Sequence, residues 1–145
     1  MDIVSIILNT AKTVQVSGTL LLAICSHESN NFTMNYSHYD HGSPSYGYCQ
    51  VKIRTAIILG FKGSPKELIE PKTNSYYAAK YLKSKEEKYG EDWVKMTAAY
   101  NAGVYNPSNR VLGCPRNLKY IKKVQKKLPV EFQEKLNCGK KKGHQ

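Results

Sequence analysis

A glutamate closing an apolar run is the residue in this sequence best placed to do chemistry. The run Thr19-Leu20-Leu21-Leu22-Ala23-Ile24-Cys25 is hydrophobic on every helical face. It reads as a buried central helix rather than an amphipathic one, and it is too short to span a bilayer. Glu28 falls at or just past the C-terminal end of that run. There the partial negative charge of the helix disfavours an ionised carboxylate, and partial burial acts in the same direction. A carboxyl that keeps its proton toward neutral pH is a general acid. The competing reading is an ordinary exposed glutamate at a helix end, and only other residues can decide between the two.

Three further groups could converge on Glu28-Ser29. Tyr46-Gly47-Tyr48-Cys49-Gln50 closes a polar stretch, Ala99-Tyr100-Asn101-Ala102-Gly103 ends a helical pattern with a polar pair, and Tyr120-Ile121 lies on a basic helix. Each is weak alone, since a Gly-x-x-Gln or a capped helix end arises by chance. The stretch from Asn30 to Gln50 is turn-rich and polar with aromatics between, a long loop or a small irregular hairpin. Such a segment suits the lining of a groove for a polar, ring-shaped ligand.

The elements that must position these groups are mostly helices. Ile3, Ile6, Ile7, Ala11 and Val14 form one stripe of a first helix, and Gly18 separates it from the central run, with Ser17 or Thr19 as candidate caps. Residues 50–61 read as helical through Val51, Ile53, Ile57, Ile58 and Phe61. Ser64-Pro65-Lys66-Glu67 is a capping box opening a short helix that Pro71 ends. Helices follow over 72–89, stopped by Gly90, over Trp93–Ala102, closed by Gly103, and near 116–128, with a last short one from Pro129. The tyrosines at 76, 77, 81 and 89 recur near helical spacing and read as packing, a few of them free to stack on sugar rings. Residues 1–136 are expected to form one mainly α domain, with 137–145 as a basic polar tail.

At 145 residues the chain has room for a real core. Its net charge of +11 favours an anionic partner, whether nucleic acid, lipid or a cell-wall polymer. Lysine outnumbers arginine 19 to 3, which argues against sequence-specific base reading, where arginine's fork is preferred. The N-terminus Met1-Asp2-Ile3-Val4 lacks the basic stretch of a secretory signal. Synthesis without cleavage or a membrane anchor is therefore expected. The four cysteines at 25, 49, 114 and 138 contain no C-x-x-C pair. An even count permits disulfides, but without a secretory signal reduced thiols are the expectation. His38-x-x-His41 with His27 nearby fits no standard zinc spacing, so no metal centre is expected, and His27 and His38 read as loop or core residues.

In this order and spacing, the four groups around Glu28, Gln50, Asn101 and Tyr120 resemble the soluble-lytic-transglycosylase-like (SLT) branch of the lysozyme superfamily. The matching segments run from about residue 20 to 124. Tyr48-Cys49 departs from the Leu-Met usual in that family. The resemblance implies a lysozyme-like fold and cleavage, without a cofactor, of the β-1,4 bond between N-acetylmuramic acid and N-acetylglucosamine in peptidoglycan. It implies Glu28 as acid and then base, Ser37 as a residue orienting it, and Tyr120 near Glu28 and the transition state. Ser29, Ser45, Tyr46, Gln50, Tyr100 and Asn101 would contact sugar or shape the site. A basic single-domain enzyme of this kind also suggests a monomer delivered to the wall as a phage lysin or virion component, or a secretion-system accessory, its lysines holding it to anionic envelope polymers.

The stretch from Glu28 to Gln50 is also similar to animal-type lysozymes, in which the residue just before the Tyr-Gly is a second catalytic carboxylate. That position is Ser45 here, which cannot ionise. A retaining hydrolase of the usual kind needs that group as nucleophile, so the resemblance points instead to closure of a 1,6-anhydro ring on the muramoyl residue. Asp40 is the alternative second acid. It could activate water for an inverting hydrolase if it lay roughly 6.5–9.5 Å from Glu28 across the substrate. The bland alternative is an aspartate in a turn, given Asp40-His41-Gly42-Ser43. A non-catalytic basic wall-binding or nucleic-acid-binding domain is the competing class, supported by charge alone.

Overall fold

The computed structural model describes residues 1–39, the backbone of Asp40, and residues 43–107, 114–134 and 136. The expected tail at 137–145, with its Lys140-Lys141-Lys142 run, lies outside these residues, as do His41, Gly42, Gly113 and Cys138.

The chain begins with α1 (Ile3–Val14), started by Asp2, whose carboxylate accepts from the Ser5 N–H at 2.8 Å. Its buried stripe is Ile7, Thr10 and Ala11. Gln15 turns the chain in the left-handed region, and Ser17 caps α2 (Gly18–Glu28) through the Leu20 N–H at 3.1 Å. Gly18 is thus the first residue of α2 rather than a spacer. On α2 the residues Leu20, Leu21, Ala23, Ile24 and Cys25 are all buried. That is the burial expected of a helix with no polar face, and it puts Glu28 at the last position of a helix held on several sides.

The polar stretch folds into an antiparallel sheet of β1 (Ser37–Asp40), β2 (Ser43–Tyr46) and β3 (Val51–Lys52), in that order. Ser37 pairs with Tyr46, and Ser45 pairs with Lys52. The helix expected from residue 50 is accordingly shorter. Val51 and Lys52 extend the hairpin as its third strand, and α3 spans Ile53–Ile58. Ile57 and Ile58 are 57% and 84% exposed, so the apolar run that suggested a longer helix is not all drawn into the core.

The capping box of Ser64 and Glu67 opens α4 (Pro65–Leu68). Pro71 is not where that helix stops. It is the first residue of α5 (Pro71–Tyr89), where its missing N–H costs nothing. α5 packs against α1 and α6. α6 (Trp93–Ala102) begins at the Asp92 cap and ends at Gly103, whose φ of +88° is open to glycine. α7 (Leu118–Gln125) is shorter than the expected 116–128, and a 3₁₀ turn at Val130–Phe132 follows Pro129. Ile121, Val124 and Leu128 face the core, while Lys119, Lys122, Lys123, Lys126 and Lys127 are exposed.

One expectation is overturned outright. Among the described residues the cysteines are not reduced thiols: Cys25 and Cys49 form a disulfide, with Cα atoms 4.2 Å apart. Cys114 is disulfide-bonded as well. The expectation of reduced thiols rests on residues far from the cysteines, whereas the bond follows from apposition. The last turn of α2 and the turn before β3 meet in the core, where both Cys25 and Cys49 are fully buried.

Candidate active site

The buried α2 ends at the floor of a cleft of about 480 Å³. Its lining draws Glu28 from α2, Tyr36 and His38 from the start of the sheet, Ser45 from β2, and Gln50 to Lys52 from the turn and β3. Tyr81 of α5 and Tyr100 to Gly103 of α6 complete the wall. Sheet and helices thus meet over Glu28, the one carboxyl among the described residues of the lining.

Tyr120 of α7 donates its hydroxyl to Glu28 Oε2 at 2.6 Å, across 92 positions of sequence. Burial pushes the Glu28 carboxyl up from 4.5 to about 7, and the Tyr120 hydrogen bond opposes that rise. The position at a helix C-terminus also acts against the charged form. Tyr120 and Tyr100 are both held well above the ordinary phenol value, first by burial and then by the nearby Glu28 charge. Both hydroxyls therefore remain protonated donors. His27 meets the Tyr120 ring edge-on, with centroids 5.1 Å apart. Its imidazole is held below its ordinary value by burial and then by Lys123 and Lys127.

The Gly-x-x-Gln turn is held by its own side chains and by a residue the sequence did not single out. Gln50 sits at φ +49° and donates its amide to the carbonyls of Tyr36 at 3.0 Å and Gly47 at 2.8 Å. Asn74, fully buried on α5, accepts from the Cys49 N–H at 2.9 Å and donates to the carbonyls of Tyr46 and Leu68. Gly47 is required there: its φ is +81°, and a Cβ would lie 2.4 Å from the Asn74 side chain. Tyr100 donates to the Cys49 carbonyl at 2.8 Å. Asn74, Tyr100 and the disulfide therefore anchor the same residue.

Ser45, Gln50, Tyr100 and Asn101 lie together with Glu28 in the cleft lining. Asn101 accepts from Asn117, which also donates to the Ala98 carbonyl, so its amide is oriented from behind. The other expected site residues sit elsewhere. Ser29 is fully buried and outside the lining; its hydroxyl donates to the Cys25 carbonyl at 2.7 Å and accepts from the Phe32 N–H at 2.9 Å. It thereby braces the left-handed residues Asn30, Asn31 and Phe32. Ser37 is exposed on β1 and makes no hydrogen bond to Glu28; the side chain that reaches back is Tyr36, whose hydroxyl is 3.5 Å from the Glu28 carbonyl oxygen. Tyr46 is partly buried, with its carbonyl engaged by Asn74. The backbone of Asp40 pairs with Ser43 at the far end of β1 from Tyr46; its side chain is outside the described residues. Tyr81, read as packing, both packs on Tyr100 at 5.1 Å and lines the cleft.

A mainly helical domain with a small three-stranded sheet and a buried-helix glutamate facing a cleft is the lysozyme-like arrangement. The Transglycosylase SLT domain profile matches residues 5–122, and the chain belongs to that family. Among solved structures, an inactive mutant of the lytic transglycosylase Slt from Pseudomonas aeruginosa matches with a TM-score of 0.58 and 25% identity. The match covers 68% of this chain and 16% of that one. No curated protein matches. Among the described residues, no helix is long and apolar enough to cross a membrane.

Proposed function

We propose that the protein is a peptidoglycan lytic transglycosylase in which Glu28 serves as acid and then as base. The observation that carries the reading is that Glu28, protonated up to about pH 7 and hydrogen-bonded to Tyr120, is the one carboxyl among the described residues lining the cleft. Glu28 donates its proton to the glycosidic oxygen as the bond from C1 of N-acetylmuramic acid to that oxygen breaks. The N-acetyl oxygen of the same sugar closes on C1 and carries the positive charge. The carboxylate left on Glu28 then takes the proton of the C6 hydroxyl, and O6 attacks C1, displacing the acetamido oxygen. The product is a 1,6-anhydro-muramoyl end, no water is consumed, and Glu28 regains its proton. Tyr120 stabilises the transient carboxylate. Gln50, Tyr100 and Asn101 hold the sugar or the walls around it, and Ser45 leaves the face opposite the leaving group without a nucleophile.

The lysine face of α7 is read as the part that holds the enzyme to anionic envelope polymers. Delivery to the wall as a phage lysin or virion component is a reading that rests on size and charge. The test of the reaction is the mass of muropeptides released from purified cell wall. Ends one water lighter than reducing ends are expected. Reducing ends alone would mean that water attacks C1, with Asp40 the residue to mutate next. Tight nucleic-acid binding with no release of muropeptides would return the protein to the non-catalytic class.

A further inference from the structure

Lys52 places a basic side chain in the wall of a cleft whose one carboxyl among the described residues is Glu28. Its base is fixed twice over. It pairs with Ser45 in the sheet, and it is the N-cap of α3 in extended conformation, at φ −72° and ψ 138°. Its ammonium group is exposed and has no ion pair or hydrogen bond among the described residues. Lys85, whose acceptor lines the cleft, is engaged: it donates to the Gly103 carbonyl at 2.6 Å. Glu28 offers Lys52 no full counter-charge while it holds its proton.

The sugar rings of a peptidoglycan strand are uncharged, and the lactyl carboxyl of each muramoyl residue is consumed in the amide to its peptide. The negative charge close to the scissile bond belongs to the free carboxylates of that peptide. We propose that Lys52 is a specificity-determining residue that pairs with a carboxylate of the peptide stem on the muramoyl residue bound in the cleft. This deepens the transglycosylase reading and rests on it. The cleft then prefers stem-bearing strands to bare ones, and the preference resides in binding rather than in the chemical steps.

The experiment uses soluble glycan strands freed of wall phosphates, in three forms: stems intact, stems removed by an amidase, and stem carboxylates amidated. The wild-type chain is expected to show a KM roughly tenfold lower on intact strands than on the other two, with similar kcat. K52Q should raise KM about tenfold on intact strands, leave kcat within about twofold, and change nothing on the stripped or amidated ones; K52R should restore most of the difference. These fold-changes are the size of one charge-assisted contact. Equal effects of K52Q on all three substrates, or no effect on any, would overturn the assignment while leaving the reaction standing. A wild-type chain that releases no anhydro ends from any strand would instead bring down the transglycosylase reading, and this proposal with it.

Discussion

Glu28 has two opposed duties, proton donor first and acceptor second, and its surroundings are set for the first. Between pH 4.5 and about 7 the folded chain holds a proton on Glu28 that the unfolded chain has released. Stability therefore falls as pH rises through that window, and the cost is complete above it. A shift of this size amounts to roughly 1–3 kcal/mol after allowing for the part of the group that water reaches. Glu28→Gln should abolish cleavage, by about a thousandfold or more, and melt at a higher temperature than the wild type at pH 8. The two chains should converge near pH 4; thermal melts at both pH values check it, and a mutant no more stable at pH 8 would remove the burial argument. Tyr120 can be separated from this. Its hydrogen bond lowers the Glu28 value, so Tyr120→Phe should move the alkaline limb of kcat/KM to higher pH. The maximum rate should fall by roughly ten- to a hundredfold, the size of a hydrogen bond to a charged group. A pH–rate profile reports both effects.

At the scale of elements, the cleft depends on joining the end of α2 to the turn before β3, and the Cys25–Cys49 bond makes that junction covalent. It closes a loop of 24 residues' separation, for which loss of the cross-link costs about 3 kcal/mol in the chain-entropy description. Reduction, or the paired change of Cys25 and Cys49 to serine, should lower the melting temperature and reduce turnover together. Unchanged turnover after reduction, verified by thiol counting, would show that Asn74 and Tyr100 hold the turn unaided. Parts of this arrangement were legible in the sequence and parts were not. The helix Trp93–Ala102 has the bounds expected of it, with Gly103 as its stop, and the apolar run of α2 could only be buried, because these are local signals. The extent of α3 was misread because Val51 and Lys52 pair with residues of β2, which periodicity cannot report. Asn74 and Asn117 gave no signal at all. Each is a single polar residue within a helix or at its start, and its purpose appears only when chain 16 to 28 positions away folds against it. Ser29 and Ser37 illustrate the reverse: its place beside Glu28 made one a candidate and the family resemblance the other, while burial of Ser29 and exposure of Ser37 on β1 gave them different surroundings.

For the whole molecule, the net charge of +11 is distributed to some purpose. α7 turns Tyr120 toward Glu28 and sends Lys119, Lys122 and Lys123 outward, with Lys126 and Lys127 exposed just past its end, so one segment serves the cleft and the cationic surface. Exposed charges of this kind act through long-range attraction and are screened within about 8 Å at physiological salt. Replacing Lys122 and Lys126 by glutamine should slow release of muropeptides from intact walls severalfold at low salt and little at high salt, with no change on short soluble strands. Loss on soluble strands as well would place those lysines in the cleft's own chemistry. The disulfide has a last consequence at this scale. Positions 25 and 49 bound a covalent ring that contains Glu28 and the whole β1–β2 hairpin. A protease cutting once anywhere between residues 26 and 48 would leave a single molecule, its two fragments parting on a gel only after a thiol is added.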